Sequence, residues 1–329
     1  MSAGVESPAR WILGVALAAV AALFGASQLA QRGHVGLPLA ATIFCLFLLL
    51  LPYFFFGLTS LPDRLARWID RRPTRLIAAA AVLLVPYLIY AVGTSTLTLE
   101  RLLKLALLVL GPVILLAPAT RAPIRLTWPD ALTILALWLP LDFRVFRDVW
   151  AWPEGGAAYI MNVVLAVDLV LLLFVAFRRL DGVGYRFRIG QKDLVAFGVN
   201  LALCLVLVVP IGLATGFVRF NPDTNLAGFI ASFVAIFLTI GLPEELLFRG
   251  LIQNFLQKTW GRAIVALVVS SIIFGLAHLN NGPRPDWRYA VLATIAGFFY
   301  GRAFLQNGRL MAPALVHASI DAVWRGFFR

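Results

Sequence analysis

The sequence predicts an all-α fold, a polytopic bundle of transmembrane helices with its chemistry in the C-terminal half. Three observations carry that expectation. Of 329 residues, 61% are hydrophobic and only 13% are charged, against about 45–50% and about 25% in soluble domains. The apolar residues fall in continuous runs rather than the ~10-residue alternating segments of a membrane barrel. Arginines gather between those runs, as the positive-inside rule expects, so the net charge of +12 reads as topology and not as a nucleic-acid surface.

About ten or eleven apolar segments can be placed in order, near residues 11–30, 37–57, 76–93, 102–118, 128–141, 156–177, 194–215, 226–257, 263–280, 288–306 and 311–327. Roughly 20 apolar residues cross a bilayer. The first run is long for a signal peptide and more follow at once, so it reads as a first span. The loop LPDRLARWIDRRPTR (61–75) carries five Arg, and RRLDGVGYRFR (178–188) carries four. Four spans separate them, which puts both loops and the N-terminus on the cytoplasmic side. The expected location is an integral, multi-pass position in a membrane, the inner (plasma) membrane for a bacterial chain. The second loop marks the one internal boundary, between an N-terminal helical region of unknown role (1–183) and a C-terminal unit (184–329). Cys45 and Cys204 both lie in apolar runs and suggest core packing, not a disulfide or a metal ribbon.

Charged groups inside a bilayer are costly and usually functional or paired. PEELLFRG (243–250) places Glu244 and Glu245 in the longest apolar run. Pro243 lacks a backbone donor, so GLP (241–243) predicts a break that restarts the helix at the two acids. Glu245 and Arg249 are spaced i,i+4, within ion-pair reach on one helical face; Glu244 is then the acid left over. FGLAH (274–278) contributes His278, with Phe274 one turn earlier on the same face, and LVHASID (315–321) contributes His317 with Asp321 one turn later. That last spacing lets the carboxylate orient the imidazole, or lets both groups meet one target. At 1.5 Å per residue, Glu244 and His278 lie roughly 21 and 24 Å from the turn between their helices; His317 lies only roughly 12 Å from its own turn, and its level is open. Gly297 and Gly301 in GFFYG have the spacing of close helix approach. A carboxylate and two imidazoles on separate helices suit water activation by a general base and oxyanion stabilisation. The same donors suit a zinc ion.

EELLFR, FGLAH and HASID, in that order over roughly 190–326, resemble the three motifs of the CAAX-processing and bacteriocin-processing intramembrane endopeptidases. The resemblance implies that Glu244 and His278 activate water, that His317 and Asp321 line the site, and that Glu245, Arg249 and Phe274 support it. It implies a membrane-embedded or lipidated peptide substrate, with no certain cofactor and zinc left open; with zinc, Glu244, His278, His317 and Asp321 are the ligands. CAAX-cleaving members carry Asn where this chain has Asp321. Asparagine donates a hydrogen bond and an ionised aspartate does not, so Asp321 is better suited to orienting His317 or to a metal site. Two other readings stay open: a non-catalytic scaffold or immunity-type protein, and a transporter working through Asp168, which falls mid-span in 156–177.

Overall fold

The computed structural model describes residues 7–121, 125–153, 157–223, 225–282 and 284–328. Among these the chain is helical without a strand, and every apolar run becomes a helix. The helices are α1 (Pro8–Ala30), α2 (Gly36–Leu58), α3 (Leu61–Ile69), α4 (Pro73–Gly93), α5 (Leu99–Ala119), α6 (Trp128–Asp142), α7 (Ala158–Phe177), α8 (Gln191–Ala214), α9 (Leu226–Trp260), α10 (Ala263–Ala277), α11 (Trp287–Asn307) and α12 (Met311–Phe327). Seven of them, α1, α2, α4, α5, α7, α8 and α9, are long and apolar enough to cross a membrane. The protein is an integral, multi-pass membrane protein.

The chain divides into two compact units, Met1–Pro123 with Thr127–Leu180, and Ile124–Leu126 with Asp181–Arg329. In the first, Ala41 of α2 lies where a Cβ on Gly93 of α4 would sit, a backbone approach that only a small residue permits. Two details differ from the sequence expectation. Residues 61–69 are not loop but the short amphipathic helix α3, which buries Ile69 and turns Arg64 and Arg67 outward. Arg178 is not a loop cation; it is buried with Nε 2.9 Å from Asp130 Oδ1. Asp130 closes the first turn of α6 by accepting from Thr127 N, so one carboxylate both caps the helix and neutralises the guanidinium.

Asp168 lies in α7, 2% exposed, and neither carboxylate oxygen has a hydrogen-bond partner among the described residues. Among the described residues, no salt bridge or helix–helix hydrogen bond therefore accounts for it. A buried polar group left unsatisfied costs about 1–3 kcal/mol. Asp168→Leu is expected to raise the midpoint of denaturant unfolding in detergent by about that free energy; a lowered midpoint would show that the carboxyl is held by interactions worth more than its burial.

In the second unit α9 organises everything else. Its 35 residues would span about 52 Å as an α-helix, well beyond the roughly 30 Å hydrocarbon core. The expected break at GLP does not occur. The helix runs through Pro243 and changes register instead, with π-helical segments at Phe237–Gly241 and Leu246–Gln253 and one α-turn, Leu242–Glu245, between them. A proline ring clashes with the carbonyl four residues earlier in an α-helix; the π segment before it moves that carbonyl out of α register. Such π insertions concentrate at functional sites, and here they bracket both glutamates. Gly241 brings α9 onto α12, since a Cβ there would stand 3.1 Å from Ala314 O. Ala318 and Ala322 continue the contact with Ile236, covered by Phe229 and Phe233.

Candidate active site

Glu244 and Glu245 enter from α9, His278 from the residue just past α10, and His317 and Asp321 from α12. His278 therefore caps its helix rather than sitting within it. Its backbone N–H closes on Gly275 and Leu276, and the described part of the 278–286 turn follows directly. The structure brings all three motifs together. Glu244 Oε2 stands 3.9 Å from His278 Nε2 and 3.8 Å from His317 Nε2, and Asp321 Oδ2 stands 3.7 Å from the same His317 nitrogen. The level of His317, which helix-length arithmetic left open, is that of the other two.

The far nitrogens fix both rings. His278 Nδ1 is 2.8 Å from Phe274 O, and His317 Nδ1 is 2.9 Å from Glu245 Oε1. A carbonyl and an ionised carboxylate only accept, so each Nδ1 carries the proton and each Nε2 faces Glu244. The i,i+4 spacing of His317 and Asp321 allows two arrangements, and the structure forms the one in which both face a common point. Asp321 does not orient His317; Glu245 does, from another helix, and Asp321 shares the Nε2 side with Glu244.

Glu245 also makes its expected pair with Arg249, Nη1 to Oε1 at 3.0 Å, with both side chains fully buried. Arg249 donates its other arm to Gly297 O at 2.8 Å and lies over the Phe274 ring at 4.6 Å. Gln253, one turn on, donates to Gly301 O and accepts from Ser270 Oγ at 3.2 Å. The glycines of GFFYG thus do more than allow close approach: they present bare carbonyls to two side chains of α9. A Cβ on Gly301 would collide with Leu267 Cδ1 and Gln253 Oε1. Overpacking of this kind costs about 1–3 kcal/mol. Gly301→Ala is expected to lower the unfolding midpoint accordingly, whereas Gly198→Ala, where a Cβ meets nothing within 4 Å, should not; equal effects would show that the α9–α11 contact is loose.

Three residues of this site were not singled out from the sequence. Gln253 had a readable signal, a polar residue four positions after Arg249 in the same apolar run. Tyr300 stacks on His317 with ring centroids 4.7 Å apart and 16° between planes. Tyr289 packs edge-on against His278 at 5.0 Å. Neither tyrosine is distinguishable in sequence from an ordinary aromatic on a membrane helix.

His278, His317 and Asp321 face a pocket of about 70 Å³ that is otherwise lined by apolar and aromatic side chains, Leu205 and Val208 of α8 and Trp324 of α12 among them. A water needs only about 10–15 Å³ on this measure. Glu244 does not line that pocket; it meets both imidazoles at Nε2. Its side chain is 27% exposed and that of Asp321 29%, against 2% for His317.

The donor types suit zinc, but their spacing does not. Tetrahedral ligands with bonds of about 2.0–2.1 Å lie about 3.3 Å apart, whereas the four groups here stand 3.7–3.9 Å from one another where they approach. No group of three or more His, Cys, Asp or Glu among the described residues closes to a metal-binding arrangement.

The fold and the site define a polytopic helical membrane protein with a buried glutamate–histidine cluster. Residues 226–323 match the family model described as type II CAAX prenyl endopeptidase Rce1-like, which bears out the resemblance carried by the three motifs. All three lie inside the matched segment; α8 lies outside it, so the match is narrower than the motif reading had it. The chain is also 32% identical over 91 residues to an uncharacterized protein, YpbD, of Bacillus subtilis (strain 168), a stretch covering 27% of this chain and 42% of that protein. No solved structure matches the chain.

Proposed function

We propose that the second unit is an intramembrane endopeptidase that hydrolyses a peptide bond near the C-terminus of a membrane-anchored or lipidated substrate. The approach of Glu244 Oε2 to the Nε2 atoms of His278 and His317, 3.9 and 3.8 Å away, carries this reading. Glu244, with His278 beside it, takes a proton from water as the water oxygen bonds to the scissile carbonyl carbon. The carbonyl π electrons move onto oxygen, and a protonated His317 Nε2 faces that oxyanion while Nδ1–H stays on Glu245. The intermediate then collapses. The carbonyl re-forms, the C–N bond breaks, and the proton held by Glu244 passes to the leaving amine. The apolar pocket beside the imidazoles suits the greasy flank of such a substrate. The five Arg of 61–75, two crossing helices after the N-terminus, support a cytoplasmic N-terminus, in the inner membrane if the chain is bacterial.

The test is cleavage by the full-length protein in liposomes, using C-terminal peptides with and without a prenyl group. Turnover is expected for wild type, loss of it for His278→Ala, and no loss on treatment with EDTA or phenanthroline. Activity that chelators remove and zinc restores would replace the glutamate base with metal-activated water. A folded protein that cleaves neither peptide, with Glu244 and His278 intact, would favour the scaffold reading.

A further inference from the structure

A second cavity, of about 550 Å³, opens where α8 begins and α11 ends, lined by Arg188, Lys192, Asp193, Gln306, Asn307 and Arg309 among others. Its one acid is already neutralised. Asp193 is fully buried; Oδ2 accepts from Arg309 Nη1 at 3.0 Å and from Gly190 N at 2.8 Å, and Oδ1 accepts from Asn307 Nδ2 at 2.8 Å. Arg188 and Lys192 are exposed and form no ion pair among the described residues. The cavity thus presents two uncompensated cations above a satisfied polar floor.

Its position points to the ligand. Gln191 opens a 24-residue span, so the cavity stands at the end of a membrane helix, at headgroup level. Directly beside it Ile189, Leu194 and Val195 are exposed, and Val199, Leu203 and Val206 continue that apolar face along α8. A phosphate held by Arg188 and Lys192 would carry its acyl chains down this face. We propose that this cavity binds the phosphate of an anionic phospholipid. A soluble phosphate ester would satisfy the two cations but leave the apolar track without an occupant. The inference is independent of the endopeptidase reading.

The experiment uses the full-length protein in nanodiscs or mild detergent, with fluorescent phosphatidylglycerol and phosphatidylcholine as probes. Retention of phosphatidylglycerol over phosphatidylcholine is expected. A juxtamembrane cation contributes about five-fold in affinity for anionic lipid, so Arg188→Ala/Lys192→Ala should weaken retention about 30-fold. Arg219→Ala/Arg284→Ala removes the same charge near the other ends of α8 and α11 and should leave retention within about two-fold. Equal losses in the two variants would overturn the site in favour of general surface charge. Displacement of the lipid by glycerol 1-phosphate at equal concentration would overturn the lipid assignment in favour of a soluble phosphate ester.

Discussion

Glu244→Gln is expected to lower turnover of a reconstituted peptide substrate by about 10²–10⁴-fold, the usual contribution of a positioned general base, while the unfolding midpoint and the substrate's KM stay near wild type. The side chain keeps its size and its place on α9 but can no longer take a proton. Stability should hold because Glu244 is the more exposed of the two acids, with 27% of its side chain accessible, and because the Glu245–Arg249 pair is untouched. The measurement is single-turnover cleavage beside a denaturant titration of each variant. Turnover within ten-fold of wild type would sink the base assignment and return the cluster to a structural or scaffolding role. Asp321→Asn is the informative companion. The amide can donate where the carboxylate cannot, so turnover should be retained or raised; a fall larger than that of Glu244→Gln would make Asp321 the working acid.

The helices were legible because lipid contact writes long apolar runs, and each run became a helix. The site was legible to the extent that cost marks function: Glu244, Glu245, His278 and His317 are expensive in a bilayer, and they do converge. What the sequence could not convey is how the backbone brings them together. Pro243 reads as a break under α-helical rules, and only the π segments at 237–241 and 246–253 keep the helix continuous around it. The orientation of His317 was equally hidden. Asp321 is the carboxylate near it in sequence, but Glu245 is the one that holds it, 72 positions away. Periodicity within one helix gives faces; it does not say which faces meet.

The expense of this cluster also bears on why it sits among short helices. α10 and α12 have 15 and 17 residues, too few for a simple crossing of about 20. His278 consequently falls at a helix end, where a following turn can bring water to it. His317 is buried apart from its face on the pocket, stacked on Tyr300 and edge-on to Phe274. Within the second unit, long spans beside short ones give a polar site enclosed by protein, with two of its acids supplied by α9 and the third, Asp321, by α12.

Arg249→Met is expected to produce the largest loss of stability in the chain, about 3–5 kcal/mol, because removing one partner of a buried pair leaves the other charge uncompensated. Glu245 would keep only His317, and α11 would lose the donor that Gly297 O accepts at 2.8 Å. Turnover should fall as well, since Glu245 sets the ring of His317 through Nδ1 and a carboxylate without its guanidinium is free to draw that proton. The double variant Glu245→Gln/Arg249→Met separates the two effects. It removes both charges together, and buried pairs replaced as a unit by neutral groups are often near neutral in stability, so most of the lost free energy should return in a denaturant titration. The amide oxygen introduced at position 245 can still accept from Nδ1, so part of the turnover should return with it. A double variant as unstable as Arg249→Met would show that the guanidinium's contacts with Phe274 and Gly297, and not its charge balance with Glu245, hold α9 to α10 and α11.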